Sequence, residues 1–223
     1  FDAAHAFGTR ANDVPIHCWG DASVYSTHAS KLFHTGEGGV LVCRDEALAL
    51  RAEGLQNFGL DADGVPNEAG VNSKMSEIQA ALGLSVLPHV AAERAARQRI
   101  AQRYAQSLTS IAGLRAFALP DDVEHSLQYF AVRMSGAARS GDLTRRDAAL
   151  NLLAAHKIHA RRYFYPLCSE FPHYRALVSA QRENLPNAVS AANEMLCLPF
   201  HGGVSDAAQH AIAALLAHLD TLT

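Results

Sequence analysis

Residues 24–43 read Val-Tyr-Ser-Thr-His-Ala-Ser-Lys-Leu-Phe-His-Thr-Gly-Glu-Gly-Gly-Val-Leu-Val-Cys, and this stretch carries the strongest signal for the fold. Residues 24–26 and 39–43 are short runs of β-forming side chains. The polar, glycine-containing segment between them predicts a loop, and this loop holds Lys31. The pattern therefore predicts two strands joined by a loop from which the side chain of Lys31 can reach into a cleft.

The sequence around this stretch predicts a sheet covered by helices. A helical pattern follows the second strand over 45–55, and another helix begins near Ser73. The segment 57–70 between these helices contains four Gly or Pro residues and has no periodicity, so it is a long loop.

A domain boundary is predicted near residue 95. Pro88 interrupts the second helix, and an Ala- and Arg-rich helix over 90–108 leads away from it. We assign 1–95 to part of a large domain and 96–223 to a small C-terminal domain.

The C-terminal part alternates between strand and helix patterns and therefore predicts an α+β unit. The predicted strands cover 127–134, 158–165 and 196–198, and the predicted helices cover 143–156, 187–194 and a last segment from Ser205. In the last helix one apolar stripe is formed by Ala208, Ile212, Leu215 and Leu219, with Ser205 as the expected N-cap.

The composition excludes several classes of function. The 223 residues carry a formal net charge of -3 and no run of Lys or Arg, which argues against nucleic acid or an anionic membrane as a partner. No apolar stretch is long enough to span a bilayer and no signal peptide is visible, so a cytoplasmic protein is expected. Four dispersed cysteines favour reduced thiols, and the histidines lack the spacing of metal ligands.

Three side chains match the requirements of pyridoxal-phosphate chemistry. Such a site needs an amine for the aldehyde, an acid for the pyridine nitrogen and hydroxyl groups for the phosphate. Lys31, Asp2 and Ser26 supply these groups. Each also has an ordinary structural explanation, since a lone lysine in a loop is usually a surface residue, Asp2 could cap a strand end, and Ser26 could be a simple strand residue.

The same residues lie in motifs that resemble one protein family. Residues 2–8 (Asp-Ala-Ala-His-Ala-Phe-Gly), 26–31 (Ser-Thr-His-Ala-Ser-Lys) and 36–39 (Gly-Glu-Gly-Gly) stand in this order. They are similar in order and spacing to the E-D-A-A-[HQ]-A-x-G, S-F-H-x-x-K and G-E-G-G patterns of the DegT/DnrJ/EryC1/StrS sugar aminotransferases. Thr27 replaces the usual phenylalanine of the second pattern.

The resemblance continues along the chain and implies a fold. Residues 72–83 are similar to the family's N-x-[RK]-M-x-E-[IL]-Q-A-A segment, and 163–167 and 198–201 match more weakly. The matches cover the whole chain but only the second half of a family member. They imply an α/β protein of PLP-dependent transferase fold type I, aspartate-aminotransferase-like, with a partial large domain and a small α+β C-terminal domain.

The resemblance also implies roles for individual residues. Lys31 matches the lysine that holds pyridoxal 5'-phosphate as a Schiff base and then acts as general acid and base. Asp2 matches the carboxylate at the pyridine nitrogen, and Ser26 a phosphate-binding hydroxyl. His5 matches a residue beside the cofactor ring, although it could also be a polar loop residue. Asn72 matches a residue that reaches the phosphate from the neighbouring subunit, which implies a homodimer with shared active sites.

Contacts to the substrate are assigned less directly. His28 lies in the lysine motif, but local hydrogen bonding explains it better than chemistry does. Arg162, Tyr163 and Tyr165 could line a cleft for a sugar nucleotide, because Arg suits a diphosphate and aromatic faces suit sugar and base. A strand on a domain edge would show the same pattern.

The implied activity is transfer of an amino group from an amino acid, glutamate being expected, to a keto group of a nucleotide-linked deoxysugar. The Tyr-Phe-Tyr-Pro version of residues 163–166 favours a 4-keto-6-deoxy sugar over a 3-keto sugar. Relatives that catalyse dehydration replace the lysine, and Lys31 argues against that reaction.

The chain also departs from the family. The family's Gly-Thr/Ser phosphate loop and the aromatic residue that stacks on the ring belong to the first half of a member, and neither is found in this sequence. The alternative is therefore a truncated, catalytically inactive remnant that acts only as a structural or interaction module.

Overall fold

The computed structural model describes residues 1–117, 120, 122–136 and 143–219. The chain divides into two units. The first contains Phe1–Arg94 and Leu119–Gln128, and the second contains Ala95–Ala118 and Tyr129–Thr223. The division at Arg94 lies beside the boundary proposed from the sequence, but the structure also places Leu119–Gln128 with the first unit.

The strands and helices follow one another in groups along the first part of the chain and alternate only from β7 onward. The strands are β1 (Arg10–Ala11), β2 (Val14–Pro15), β3 (Ala22–Ser26), β4 (Gly39–Cys43), β5 (Leu114–Ala116), β6 (Val123–Glu124), β7 (Phe130–Met134), β8 (Arg161–Arg162) and β9 (Met195–Leu198). The α-helices are α1 (Glu46–Gln56), α2 (Glu77–Val86), α3 (Val90–Leu108), α4 (Arg145–Ala155), α5 (Pro186–Glu194) and α6 (Asp206–Ala217).

The first unit is built around the antiparallel pair β3–β4. The pairing runs from Ala22 opposite Cys43 to Ser26 opposite Gly39, which confirms the two strands predicted on either side of the lysine loop. The N-terminal segment adds to the free side of β3, because Asp2 forms a parallel bridge with Val24. A second small sheet has the order β2-β1-β6.

Capping interactions set the helix boundaries in this unit. Helix α1 begins after Asp45, whose carboxylate accepts a hydrogen bond from the amide of Ala47. Helix α2 begins at Glu77 instead of near Ser73, because Ser76 and Gln79 form a capping box in which each side chain bonds the other's backbone amide. A 3₁₀ turn over Leu87–His89 contains Pro88 and separates α2 from α3.

The second unit contains an antiparallel sheet with the order β5-β7-β9-β8. Its core is apolar and includes Val132, Met134, Leu153, Leu196 and Leu216, all of them fully buried. The predicted strand over 127–134 is shorter and begins at Phe130, and within 158–165 only Arg161 and Arg162 form a strand.

In the last helix, α6, the predicted N-cap is present, but only part of the predicted apolar stripe is buried. The side chain of Ser205 accepts a hydrogen bond from the amide of Ala208, which confirms the N-cap. Ile212 and Leu219 are buried as expected, whereas Ala208 and Leu215 are only half-buried. Gln209, Ala213 and Leu216 supply the other buried positions.

Arg146 is a buried cation in the core of the second unit, with a side chain that is 1% exposed. Its guanidinium donates to the carboxylate of Asp147 at 2.8 Å and to the carbonyl oxygen of Ala192 at 2.8 Å. It also lies over the ring of Tyr165. The guanidinium thus connects α4 with the C-terminal part of α5, and its removal would take one donor from the Ala192 carbonyl oxygen and one from the Asp147 carboxylate.

Substitution of Arg146 is expected to destabilise the second unit. R146M removes the donors to Ala192 and to Asp147, so the free energy of unfolding should fall by about 2–4 kcal/mol. Urea unfolding followed by circular dichroism measures this change. The control is R99M on an exposed position of α3, which should change the free energy by less than about 0.5 kcal/mol. Equal unfolding curves for the two variants would contradict the prediction.

Candidate active site

Asp2 is held at the end of the first segment by backbone pairing with β3. The amide of Ala3 donates to the carbonyl oxygen of Val24 at 2.9 Å, and the amide of Val24 donates to that of Phe1 at 3.0 Å. The carboxylate of Asp2 accepts a hydrogen bond from the amide of Ala4 at 3.0 Å. Asp2 therefore caps the local turn, which agrees with the ordinary structural explanation of this residue. Its carboxylate has a fixed place beside β3.

Lys31 lies in a loop that is closed by backbone hydrogen bonds. The amides of Thr27 and Ala29 donate to the carbonyl oxygens of Gly38 and Gly36, and the amide of Lys31 donates to that of His28 at 2.9 Å. These bonds extend the β3–β4 ladder into the loop. The loop is therefore an ordered support for Lys31.

Two buried hydroxyl groups explain why position 38, at the base of this loop, is a glycine. The side chains of Thr27 and Thr35 are hydrogen-bonded to each other at 2.8 Å. Gly38 has a φ of +150°, and a Cβ atom there would lie 2.7 Å from both hydroxyl oxygens. A larger residue at position 38 would therefore push the two threonines apart.

The charges of Asp2, His5 and Lys31 act on one another. Burial lowers the pKa of the Lys31 amine, and the negative charge of Asp2 opposes that change. Burial and then the positive charge of Lys31 lower the pKa of His5, whereas Asp2 raises it. The structure thus brings together the acid, the amine and the imidazole that the sequence motifs singled out.

Ser26 and His28 form a local hydrogen-bonded turn next to Lys31. The hydroxyl of Ser26 accepts from the amide of His28 at 3.3 Å. The Nδ1 atom of His28 accepts from the amide of Ser30 at 3.0 Å, so a neutral ring carries its proton on Nε2, which lies 3.6 Å from the carboxylate of Glu37. These contacts give His28 a structural part in the turn.

Asn72 lies in the long loop that follows α1. It forms an isolated antiparallel bridge with Asn57, and the amine of Lys74 donates to the side-chain oxygens of both residues at 2.9 and 2.7 Å. Lys74 also lies over the ring of Phe58. Among the described residues, these contacts hold Asn72 in its own loop and do not include Asp2 or Lys31.

Of the candidate substrate residues on and after β8, Arg162 and Tyr165 contact each other, and Tyr163 packs against other aromatic rings. The guanidinium of Arg162 donates to Asp147 at 2.9 Å and lies 4.8 Å from the centre of the Tyr165 ring. The ring of Tyr163 packs against Tyr129 and Phe164. β8 lies at the edge of its sheet, which agrees with the alternative that these residues form an edge strand.

Gln128 was missed by the sequence analysis. Its side-chain amide contacts the backbone on both sides of Lys31, although 96 residues separate it from Leu32. No motif or periodicity marks this glutamine, because only the folded chain brings it to the loop.

The family model of the DegT/DnrJ/EryC1/StrS aminotransferase family matches residues 1–217 of the chain. The chain belongs to this family. The resemblance proposed from the motifs is therefore confirmed.

Individual proteins to which the chain is similar support the same family assignment. The chain is 36% identical to the dTDP-4-amino-4,6-dideoxy-D-glucose transaminase of Shigella dysenteriae, over 92% of this chain and 54% of that protein. The structure of DesI in the presence of its TDP-sugar product has a TM-score of 0.88 and 33% identity, covering 99% of this chain and 55% of that one. Spr1654 from Streptococcus pneumoniae, solved in PMP-form, has a TM-score of 0.89 and 25% identity, covering 99% and 56%.

These comparisons confirm fold type I, and the chain spans about half the length of the family members it matches. Pyridoxal phosphate is confirmed as the cofactor of the family, since Spr1654 has been solved in PLP-form and in PMP-form. Among the described residues, no helix combines the length and apolar character needed to cross a membrane, and no cluster of three metal-ligating side chains occurs.

The described residues fit a pyridoxal-phosphate site in their chemistry. Lys31 offers a partly buried amine whose lowered pKa favours the neutral form that reacts with an aldehyde. The Asp2 carboxylate acts electrostatically on this amine, the amine acts in turn on the His5 imidazole, and the Ser26 hydroxyl begins the same loop. A lysine on an ordinary solvated surface would have none of these neighbours.

The coupling of the three groups predicts opposite effects of two substitutions on His5. K31M removes the positive charge that lowers the pKa of His5, so this pKa should rise. D2N removes the negative charge that raises it, so the pKa should fall. An NMR titration of the His5 Cε1–H signal, assigned with H5Q, measures both changes.

Lys74 provides the matched control for this titration, because it belongs to the same unit but contacts Asn57 and Asn72. K74M should leave the His5 midpoint in place. If K31M and D2N moved the midpoint in the same direction, the three charges would not form one group.

Proposed function

We propose that the protein is a pyridoxal-phosphate-dependent aminotransferase that moves an amino group from an amino acid, with glutamate as the expected donor, to a keto group of a nucleotide-linked deoxysugar. The observation that carries the proposal is the pairing of Asp2 with β3, the strand whose continuation carries Lys31, in a member of an aminotransferase family. A carboxylate for the pyridine nitrogen and an amine for the aldehyde are the two groups that the chemistry of the reaction requires.

Relatives favour a 4-keto-6-deoxy sugar as the acceptor. The Shigella relative is a dTDP-4-amino-4,6-dideoxy-D-glucose transaminase, and DesI was solved with a TDP-sugar product. A GDP-perosamine synthase from Caulobacter vibrioides is 32% identical over 96% of this chain and 57% of its own length. The shared chemistry is a nucleotide sugar, whereas the nucleotide differs among these proteins.

Each residue of the proposed site has a physical task. When bound, pyridoxal phosphate supplies an aldehyde for amines and a ring that accepts electrons. Lys31 would hold the aldehyde carbon through its amine, with loss of water, and its Nζ would take up and return a proton when it is free. Asp2 would keep the ring nitrogen protonated, His5 would contact the ring, and Ser26 would bind the phosphate.

The burial of Lys31 serves its proton transfer. An amine can accept a proton only in its neutral form, and partial burial lowers the pKa of Lys31 toward the pH at which it must act. Asp2 limits this shift, because its negative charge favours the protonated amine. Burial and the Asp2 charge therefore act on the pKa of Lys31 in opposite directions.

The remaining assignments of the sequence analysis stay predictions. Asn72 is proposed to reach the phosphate of a neighbouring subunit, which makes a homodimer part of the site. Arg162, Tyr163 and Tyr165 are proposed to contact the sugar nucleotide, and His28 supports the lysine loop. The division into the remainder of a large cofactor-binding domain over 1–95 and a small domain over 96–223 likewise stays a prediction.

Covalent capture of the cofactor tests the proposal at a single residue. The sequence contains only three lysines, Lys31, Lys74 and Lys157, so a peptide map can assign every modified amine. Incubation with pyridoxal phosphate and reduction with borohydride should label Lys31 in preference to the other two. K31R should lose the label, and K74R should retain it.

Labelling distributed equally over the three lysines, or unchanged in K31R, would contradict the proposal and favour the inactive remnant. The visible absorbance of the bound cofactor gives a second measurement, because it should disappear in K31R together with the label.

Asp2 should matter more for the chemical step than for cofactor binding. D2N keeps the size of the side chain but removes the charge that holds the ring nitrogen protonated, so kcat should fall on the order of 10²–10³-fold. The dissociation constant for pyridoxal phosphate should change by a smaller factor. Steady-state assays with glutamate and a TDP-4-keto-6-deoxy sugar measure kcat, and absorbance titration measures binding. A loss confined to binding would contradict this role of Asp2.

A further inference from the structure

The side-chain amide of Gln128 spans the residue that carries the amine. Its Nε2 atom donates to the carbonyl oxygen of Ser30 at 2.7 Å, and its Oε1 atom accepts from the amide of Leu32 at 3.0 Å. Ser30 and Leu32 are the two neighbours of Lys31 in the chain. One side chain thus bonds the backbone immediately before and immediately after Lys31.

This amide is shielded from solvent. Gln128 is 6% exposed and the neighbouring Leu32 is 5% exposed, so water competes little for the hydrogen bond between them. A buried amide that loses such partners is left unsatisfied, and the loop cannot rotate at Ser30 or Leu32 without breaking at least one of the two bonds. The bonds therefore restrict the directions that the Lys31 side chain can take.

The segment that carries Gln128 is itself held in an uncommon backbone conformation. Leu127 has a φ of +55°, and its side chain is buried. Its amide donates to Nδ1 of His125 at 2.9 Å, and the carbonyl oxygen of His125 accepts from the guanidinium of Arg94 at 2.9 Å. A left-handed leucine persists only where its surroundings hold it, and here the result is that Gln128 faces the lysine loop.

We propose that Gln128 is a positioning residue for Lys31. By fixing the backbone on both sides of the lysine, Gln128 keeps the Lys31 amine beside Asp2 and His5. The proposal rests on the role of Lys31 in the proposed function. It predicts that the loss of the Gln128 amide changes the place and the reactivity of Lys31 more than it changes the stability of the fold.

Gln209 offers a matched control within the chain. It is 3% exposed, and its Nε2 atom donates to the backbone carbonyl oxygens of Val204 and Ser205 at 3.2 and 3.3 Å. Both glutamines are therefore buried amides bonded to backbone, but Gln209 belongs to the second unit. Q128M and Q209M replace each amide by an apolar side chain of similar length.

The first measurement needs no cofactor. In Q128M the Leu32 amide loses its acceptor, and its hydrogen exchange should become about tenfold faster. The amine of Lys31 should move away from His5, so the His5 titration midpoint should shift upward, in the direction expected for K31M. Q209M should leave both quantities at their wild-type values.

The second measurement uses the cofactor. The rate at which pyridoxal phosphate and borohydride label Lys31, relative to Lys74 in the same digest, should fall about tenfold or more in Q128M, because a misplaced amine rarely reaches the bound aldehyde. Urea unfolding of Q128M and Q209M shows whether both variants fold. If Q128M does not fold, Q128E keeps the acceptor for Leu32 but loses the donor to Ser30, and the same fall in labelling is expected.

The outcomes separate the two proposals. A His5 midpoint and a Lys31 labelling ratio in Q128M that equal those of Q209M would overturn the positioning role. Failure of the wild-type protein to label at Lys31 would instead overturn the proposed function, while the Leu32 exchange and the His5 titration would still decide whether Gln128 positions the lysine.

Discussion

The parallel bridge between Asp2 and Val24 joins the N-terminal segment to β3, and the rest of the site depends on it. The bridge places the Asp2 carboxylate beside the strand whose continuation carries Lys31. Because the amine is partly buried, its protonation responds to that charge, and the His5 imidazole responds to both. A backbone contact thus determines an electrostatic property of three side chains that come from two separate segments of the sequence.

The lysine loop is supported from two sides. On one side the β3–β4 ladder and the buried Thr27–Thr35 hydroxyl pair close the loop, and Gly38 leaves the space that the pair occupies. On the other side the Gln128 amide bonds the backbone around Lys31. A side chain that must accept and return a proton gains from such support, because proton transfer depends strongly on distance.

Local sequence patterns predicted most of the fold correctly where local interactions decide it. Strands β3 and β4, helix α3 and the Ser205 cap follow from side-chain type and spacing. Helix α2 begins later than expected because the Ser76–Gln79 capping box stabilises a helix start at Glu77. The strand predicted over 158–165 is reduced to Arg161 and Arg162, since a strand exists only as far as a partner pairs with it, and here the partner is β9.

The sequence by itself determined the family and singled out Asp2, His5, Ser26 and Lys31 as the predicted site residues, because the motifs list the functional groups that the proposed reaction needs. Only the tertiary structure decided that Asp2, His5 and Lys31 act on one another and that Gln128 holds the lysine loop. The physical reason is that hydrogen bonds and charge interactions depend on distance in space. Residues that are 96 positions apart leave no local pattern to reveal such a contact.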